Sequence, residues 1–219
     1  MKRGRTKRVI VVDDHPIVRK GLKAILAQEE DLLLCGEAES AGEALKVINL
    51  EHPDIIIVDI GLKGSDGLEL IKSIRYQDER IPVLVMSMYD ESLYCERALR
   101  AGANGYIMKE AVDENIVHAI RHLLRGEIYV SDGIRQRILH GITKTGTENA
   151  VSPIERLSDR ELEVFRLIGT GRSTRQISEQ LHLSIKTIET YRAHIKEKLN
   201  LTNASELVQS AVQWVEKQK

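Results

Sequence analysis

The chain has 219 residues, 42% hydrophobic and 30% charged, with a net charge of −1, too apolar for disorder and not basic enough overall to announce nucleic acid. Its longest apolar runs, such as Ile55-Ile56-Ile57-Val58, fall far short of the ~20 residues a membrane helix needs. The basic stretch Met1 to Arg8 is followed only by Val9 to Val12 before Asp13, and Cys35 and Cys95 sit in no metal-ligand spacing, so export, a disulfide framework and a zinc finger are not expected and the cytoplasm is the expected compartment.

After a basic tail at residues 1–8, Arg8 to Val12 is apolar on both faces, as a strand inside a parallel sheet should be. Similar runs recur at Leu32 to Cys35, Asp54 to Asp59, Pro82 to Met86 and Gly105 to Met108. Amphipathic stretches separate them. The first opens at Pro16 with Ile17, Leu22, Ile25 and Leu26 on one face; the second opens at Ser40 and Glu43, which have capping-box spacing. Leu68 to Ile74, Leu93 to Leu99 and Ile116 to Leu124 supply three more. Five strand–helix units in a row predict a doubly wound α/β domain with a five-stranded parallel sheet over residues 9–128.

Residues 129–154 read as a linker with a short helix near Ile134 to Leu139, ending in the small polar run Lys144 to Asn149. Residues 155–219 are wholly helical in pattern. Four starts are marked by Ser158 with Glu161, Ser173 with Gln176, Ser184, and Asn203 with Glu206, which predicts a small four-helix domain. Charge divides at the same place. Residues 154–219 carry 11 lysines and arginines against 9 acids, whereas residues 9–153 carry 16 against 24.

In an open parallel sheet, functional groups gather beyond the carboxyl ends of the strands. Asp13-Asp14 ends the first strand, Asp59 the third, Ser87 the fourth, and Lys109 follows the fifth. Clustered carboxylates repel unless a cation joins them, and an all-oxygen donor set suits Mg²⁺. With Asp14 and Asp59 on the metal, a carboxylate oxygen of Asp59 can attack phosphorus and form an acyl phosphate. Lys109 neutralises the phosphoryl oxygens, and Ser87 bonds one of them once Asp59 is modified.

These residues resemble the receiver domains of bacterial two-component response regulators. The resemblance makes Asp13-Asp14 the acidic pair, with Asp14 the more direct metal contact. Asp59 becomes the phosphoacceptor, Ser87 and Tyr106 the switch residues, and Lys109 the conserved-type lysine. It also implies a sensor histidine kinase as phosphoryl donor, and the backbone carbonyl of Gly61 as a further Mg²⁺ ligand. Two features depart from the common pattern: Leu62-Lys63 stands where many receivers have Met-Pro, while Gly67 is retained, and of Gly61 and Tyr89, at the positions whose side chains help set phosphoryl lifetime in such domains, Gly61 offers none, so the resemblance fixes no lifetime.

Ser173 to Leu199 reads as a helix–turn–helix, turning through His182-Leu183. On its second helix Ile188, Ile195 and Leu199 form an inward stripe, with Tyr191 nearby. The other face offers Lys186, Thr187, Glu189, Thr190, Ala193 and Lys196, flanked by Arg192 and His194. Small polar groups and cations near a helix N-terminus are what reading base edges and holding phosphates require. Leu157-Ser158-Asp159-Arg160-Glu161, Gly171, Ile177, Leu183 to Glu189 and Lys198-Leu199 resemble a LuxR/FixJ-type DNA-binding domain. Together the two resemblances point to the NarL/FixJ class, a transcription regulator and not an enzyme, apart from slow removal of its own phosphoryl group. By that resemblance Lys186, Thr187, Thr190, Arg192 and Lys198 contact double-stranded DNA. A homodimer is expected, at least when phosphorylated or DNA-bound, with Trp214 either a dimer contact or a core anchor. The rival readings are an orphan regulator indifferent to phosphorylation, a Mg²⁺-dependent phosphohydrolase, and an adaptor without DNA binding.

Overall fold

The computed structural model describes residues 5–62, 66–143 and 153–217. The chain divides into two compact units, Met1–Lys144 and Thr145–Lys219. Lys63 and the polar run Lys144 to Asn149 lie outside the described residues.

The first unit alternates β1 (Lys7–Val12), α1 (Pro16–Leu26), β2 (Leu32–Ala38), α2 (Ala41–Glu51), β3 (Ile55–Asp59), α3 (Gly67–Gln77), β4 (Val83–Ser87), α4 (Glu91–Ala101), β5 (Gly105–Met108) and α5 (Val112–Leu124), and ends in α6 (Asp132–Thr143). All strands pair in parallel in the order β2-β1-β3-β4-β5. Val9, Val11, Ile55, Ile57, Leu84 and Met86 pack with Leu22 and Leu26 of α1 and Ile116, Ile120 and Leu123 of α5. Both faces of the central strands are covered, which explains their unbroken apolar runs. Because the chain winds from β1 to β2 and returns to β3 on the other side of β1, the carboxyl ends of β1 and β3 flank the topological switch point.

Three local expectations are corrected. Ile17, expected on the inward face of α1, is 80% exposed. At α2 only half the capping box forms: Ser40 accepts from the Glu43 N–H at 3.3 Å, but Glu43 Oε2 accepts from the Glu39 N–H at 2.8 Å instead of from Ser40. The sheet edge also reaches one residue past the span 9–128 expected for the α/β domain. The Tyr106 N–H donates to the Tyr129 carbonyl at 2.8 Å, and the Tyr129 N–H to the Asn104 carbonyl at 3.1 Å, so one more residue lines the sheet edge. The short helix expected near Ile134 to Leu139 is present as α6, longer than expected, and it packs against α4.

The second unit is all-helical, with α7 (Asp159–Gly169), α8 (Thr174–Leu181), α9 (Ile185–Lys198) and α10 (Ala204–Glu216). Both sides of the Ser158–Glu161 and Ser173–Gln176 capping boxes are made, satisfying amides that the first turns of α7 and α8 would otherwise leave unpaired. Leu162, Phe165, Ile177, Ile188, Ile195, Leu207 and Ala211 are fully buried. The Trp214 ring lies 5.6 Å from that of Phe165, so it anchors α10 to α7.

Candidate functional site

Asp13 and Asp14 follow β1 directly, and Asp59 is the last residue of β3. Their side chains are 0%, 5% and 4% exposed. Lys109, the residue after β5, crosses the rim and puts Nζ 2.7 Å from both Asp13 Oδ2 and Asp59 Oδ2. Two buried carboxylates thus share a single ammonium, and the third, Asp14, lies beside His15. Burial pushes the Asp59 carboxyl above the usual carboxylate range, against the pull of Lys109 and of the Gly61 N–H. Burial alone would depress the Lys109 ammonium, but Asp59 and Asp13 outweigh it and hold that group above its ordinary value.

The backbone around Asp59 is shaped to bring these groups together. Asp59 Oδ1 accepts from the Gly61 N–H at 3.0 Å. Gly67 allows the first turn of α3 to close on the end of β3, since a Cβ there would lie 2.4 Å from the Asp59 carbonyl oxygen. A Cβ on Gly61 would lie 3.0 Å from the Tyr89 hydroxyl and 3.6 Å from Asp59 Oδ1. The Tyr89 side chain therefore fills the space beside Asp59 that a residue with a side chain at 61 would claim.

Ligand atoms of Asp13, Asp14, His15 and Asp59 all lie within 4.8 Å of one another. The sequence reading weighs His15 as a ligand and favours a polar residue entering the helix; the structure sets it beside the carboxylates. It occupies the N-cap position of α1 without capping it by its side chain, and its Nδ1 lies 3.2 Å from Asp13 Oδ1 and 3.0 Å from Asp14 Oδ1. The buried donors are carboxylate oxygens with an excess of negative charge over Lys109, and such a set fits a hard divalent cation.

Ser87 and Tyr106 converge on one residue. The buried Ser87 Oγ accepts from the Tyr89 N–H at 3.0 Å. The Tyr106 hydroxyl donates to the Tyr89 carbonyl at 2.7 Å, its ring fully buried and its phenol raised far above the ordinary range by that burial.

In the second unit α8 and α9 form the helix–turn–helix, with His182 in the left-handed conformation at the turn. Ser184 caps α9 by accepting from the Thr187 N–H at 3.0 Å. Ile188 and Ile195 are buried, and Leu199 only partly so. On the far face Lys186, Glu189 and Thr190 are exposed, while Thr187 and Arg192 are half-buried. Ile185, to which the sequence reading gives no role of its own, is 48% exposed at the start of the helix.

Lys198 differs from the other expected DNA contacts. Its Nζ lies 2.6 Å from Oε2 of the buried Glu161, which also accepts from the Ser158 N–H at 2.7 Å. Burial would raise the Glu161 carboxyl, but Lys198 and Ser158 outweigh it and hold it below the usual glutamate range. Lys198 therefore ties the last turn of α9 to the first turn of α7. The Ser158–Glu161 spacing marked the cap, but nothing local marks a partner 37 residues away.

Residues 9–121 match the family model of the response regulator receiver domain, and residues 155–211 that of the luxR family of bacterial regulatory proteins. The chain belongs to the LuxR-type two-component response regulators. Among its relatives, this regulator is 34% identical to the oxygen regulatory protein NreC of Staphylococcus carnosus, over 94% of this chain and 96% of that one. Among solved structures it is similar to the RcsB response regulator of Salmonella typhimurium, with 26% identity, a TM-score of 0.72, and coverage of 96% and 98% of the two chains. It is also similar to RcsB from Salmonella enterica serovar Typhimurium bound to promoter rprA in the presence of phosphomimetic BeF3⁻, with 26% identity, a TM-score of 0.67, and coverage of 95% and 99%. The five-stranded parallel sheet and the C-terminal helix–turn–helix are those of the family, and the protein is a two-component transcriptional regulator. No helix among the described residues is long and apolar enough to cross a membrane.

Proposed function

We propose that this regulator is switched by phosphoryl transfer from a sensor histidine kinase to Asp59. The observation that carries the reading is the meeting of buried Asp13, Asp59 and Lys109 at the ends of β1, β3 and β5. A carboxylate oxygen of Asp59 attacks phosphorus, the bond from phosphorus to the kinase's histidine nitrogen breaks, and its electron pair returns to the imidazole. An acyl phosphate on Asp59 results. Asp13, Asp14, Asp59 and the Gly61 carbonyl would hold Mg²⁺, which would supply charge neutralisation to the phosphoryl oxygens. Lys109 leaves its carboxylate partners to bond the transferred group, and the Ser87 hydroxyl donates to a phosphoryl oxygen while Tyr106 holds Tyr89 in place. The Tyr89 hydroxyl beside Gly61 limits the approach of water, so self-dephosphorylation is slow. The kinase docks beside the pocket on a groove of about 230 Å³ whose wall includes the exposed Ile17 together with Val18, Met86 and Lys109.

DNA is read by α9. Lys186 and Arg192 neutralise phosphates, and Thr187 and Thr190 bond the backbone or a base edge. Glu189 accepts from a cytosine amino group, and Lys198 holds the helix in place through Glu161 while its partly exposed stem borders the duplex. The regulatory unit comprises the α/β domain of residues 9–128 together with α6, which packs on it, and the DNA-binding unit residues 155–219. Two copies pair on DNA, matching a two-fold site, and the partly exposed Val208 belongs to the pairing face of α10. That NreC is an oxygen regulatory protein makes an oxygen-responsive regulon one class of target to examine.

The test is DNA binding before and after treatment with acetyl phosphate and Mg²⁺, on a duplex selected from a random library. A gain that disappears in Asp59→Asn supports the reading, and a gain that persists in that variant contradicts it.

A further inference from the structure

The segment between β4 and α4 is bonded at both ends. Ser87 and Tyr106 grip Tyr89 at its start, beside the Asp59 pocket. Asp90 then caps α4 by accepting from the Ser92 N–H at 2.6 Å. The first turn of α4 is held in turn by α6. The Ser131 hydroxyl donates to Glu91 Oε1 at 2.7 Å while accepting from the Ile134 N–H at 3.2 Å, so one hydroxyl both caps α6 and ties it to α4. Arg137 Nη1 donates to the Ser92 carbonyl at 2.8 Å. Buried Val130 and Ile134 complete the seat.

The same stretch is joined to the switch tyrosine a second time. Tyr129, two residues before Ser131, accepts from the backbone of Tyr106. Gly105 permits that approach, since a Cβ there would lie 2.8 Å from the Tyr129 carbonyl oxygen. Residues 129–137 therefore touch both elements that end on Tyr89, and α6 leads directly into the chain that continues to the second unit.

We infer that α6 is a latch seated on the first turn of α4, released when the Ser87–Ser92 segment moves to engage a phosphoryl group on Asp59. The physical basis is that Ser87 Oγ cannot shift towards the pocket without drawing Tyr89, and with it the cap of α4 on which Ser131 and Arg137 sit. Phosphorylation then acts by favouring one of two pre-existing seats of α6. This inference rests on Asp59 being the phosphoacceptor.

The experiment uses the full chain, unmodified and after acetyl phosphate with Mg²⁺, with the adduct followed by intact mass. Hydrogen exchange is read in peptides covering α6, and binding to a mixed-sequence DNA duplex is read alongside. Exchange in α6 is expected to rise about tenfold on phosphorylation, the size set by losing one or two partly exposed hydrogen bonds. In Glu91→Ala/Arg137→Ala the fast exchange should be present without phosphorylation, and duplex binding should tighten in the unmodified protein. An adduct with unchanged exchange in α6 would overturn the latch and leave the phosphoacceptor reading standing. Absence of any adduct would count against the phosphoacceptor reading instead. The unmodified double variant would then decide the latch alone, unchanged duplex binding overturning it.

Discussion

The pocket around Asp59 and the outer face of α9 use charge in opposite ways. In the pocket, three carboxylates and one ammonium are almost wholly removed from water, and each group is fixed by at least one neighbour at bonding distance. On α9, Lys186, Glu189 and Thr190 stand in solvent, with Thr190 bonded only to the carbonyl of Lys186 within its own helix. Buried charge restricts both the identity and the position of its partners, because an uncompensated charge there is expensive. Exposed charge is cheap and is used only when DNA arrives. Function in the first region is thus tied to stability, and in the second it is nearly independent of it.

The largest effect is expected where a buried compensating charge is removed. Lys109→Met leaves Asp13 and Asp59 without their ammonium and should destabilise the first unit by roughly 3–5 kcal/mol in metal-free buffer. Urea denaturation followed by circular dichroism measures this, and the Trp214 fluorescence transition, which reports the second unit, should not move. Wild-type stability in this variant would mean that the pocket is better hydrated than its exposure implies.

Glu161 is the buried charge of the second unit, and its removal should rank next. Glu161→Gln should cost about 2 kcal/mol at pH 7, the scale of hydrogen bonds to a charged group. Because folding holds this carboxyl below its ordinary value of 4.5, its contribution is fully present above that pH and is lost as pH falls through the folded value. The gap between variant and wild type, read by the fluorescence of the single tryptophan, should therefore close on acidification below about pH 4.5. A gap that stays constant down to pH 3 would contradict the charged role.

Ser173→Ala removes a neutral cap from α8 and should cost about 1 kcal/mol with no such pH dependence. The smallest effect on folding is expected on the exposed face. Lys186→Ala should change stability by less than about 0.5 kcal/mol, yet lower the slope of log affinity for DNA against log salt by about 1. If Lys198→Ala lowers the salt slope as much as Lys186→Ala without destabilising the unit, the contrast drawn for these two lysines is wrong.

The parallel sheet was legible because its strands are buried on both faces and so carry unbroken apolar runs, as in Ile55 to Val58. The pocket was legible because strand ends in this topology converge, so Asp13, Asp14, Asp59, Ser87 and Lys109 could be grouped from the sequence. Ile17 was misplaced because helical periodicity records which residues are apolar, and an exposed isoleucine beside a groove gives the same signal as a buried one. The pairing of Tyr129 with β5 was missed because a single edge residue has no period. The Lys198–Glu161 bond and the α4–α6 seat join groups distant in sequence through side chains that are equally common on solvated helices, so no local pattern announces them.

The most direct test of the account is the intact mass of the full chain after incubation with acetyl phosphate, with and without Mg²⁺, beside Asp59→Asn. One phosphoryl adduct that requires Mg²⁺ and is absent from the variant is the predicted result. An adduct of the same stoichiometry in Asp59→Asn would contradict the assignment of Asp59 as phosphoacceptor.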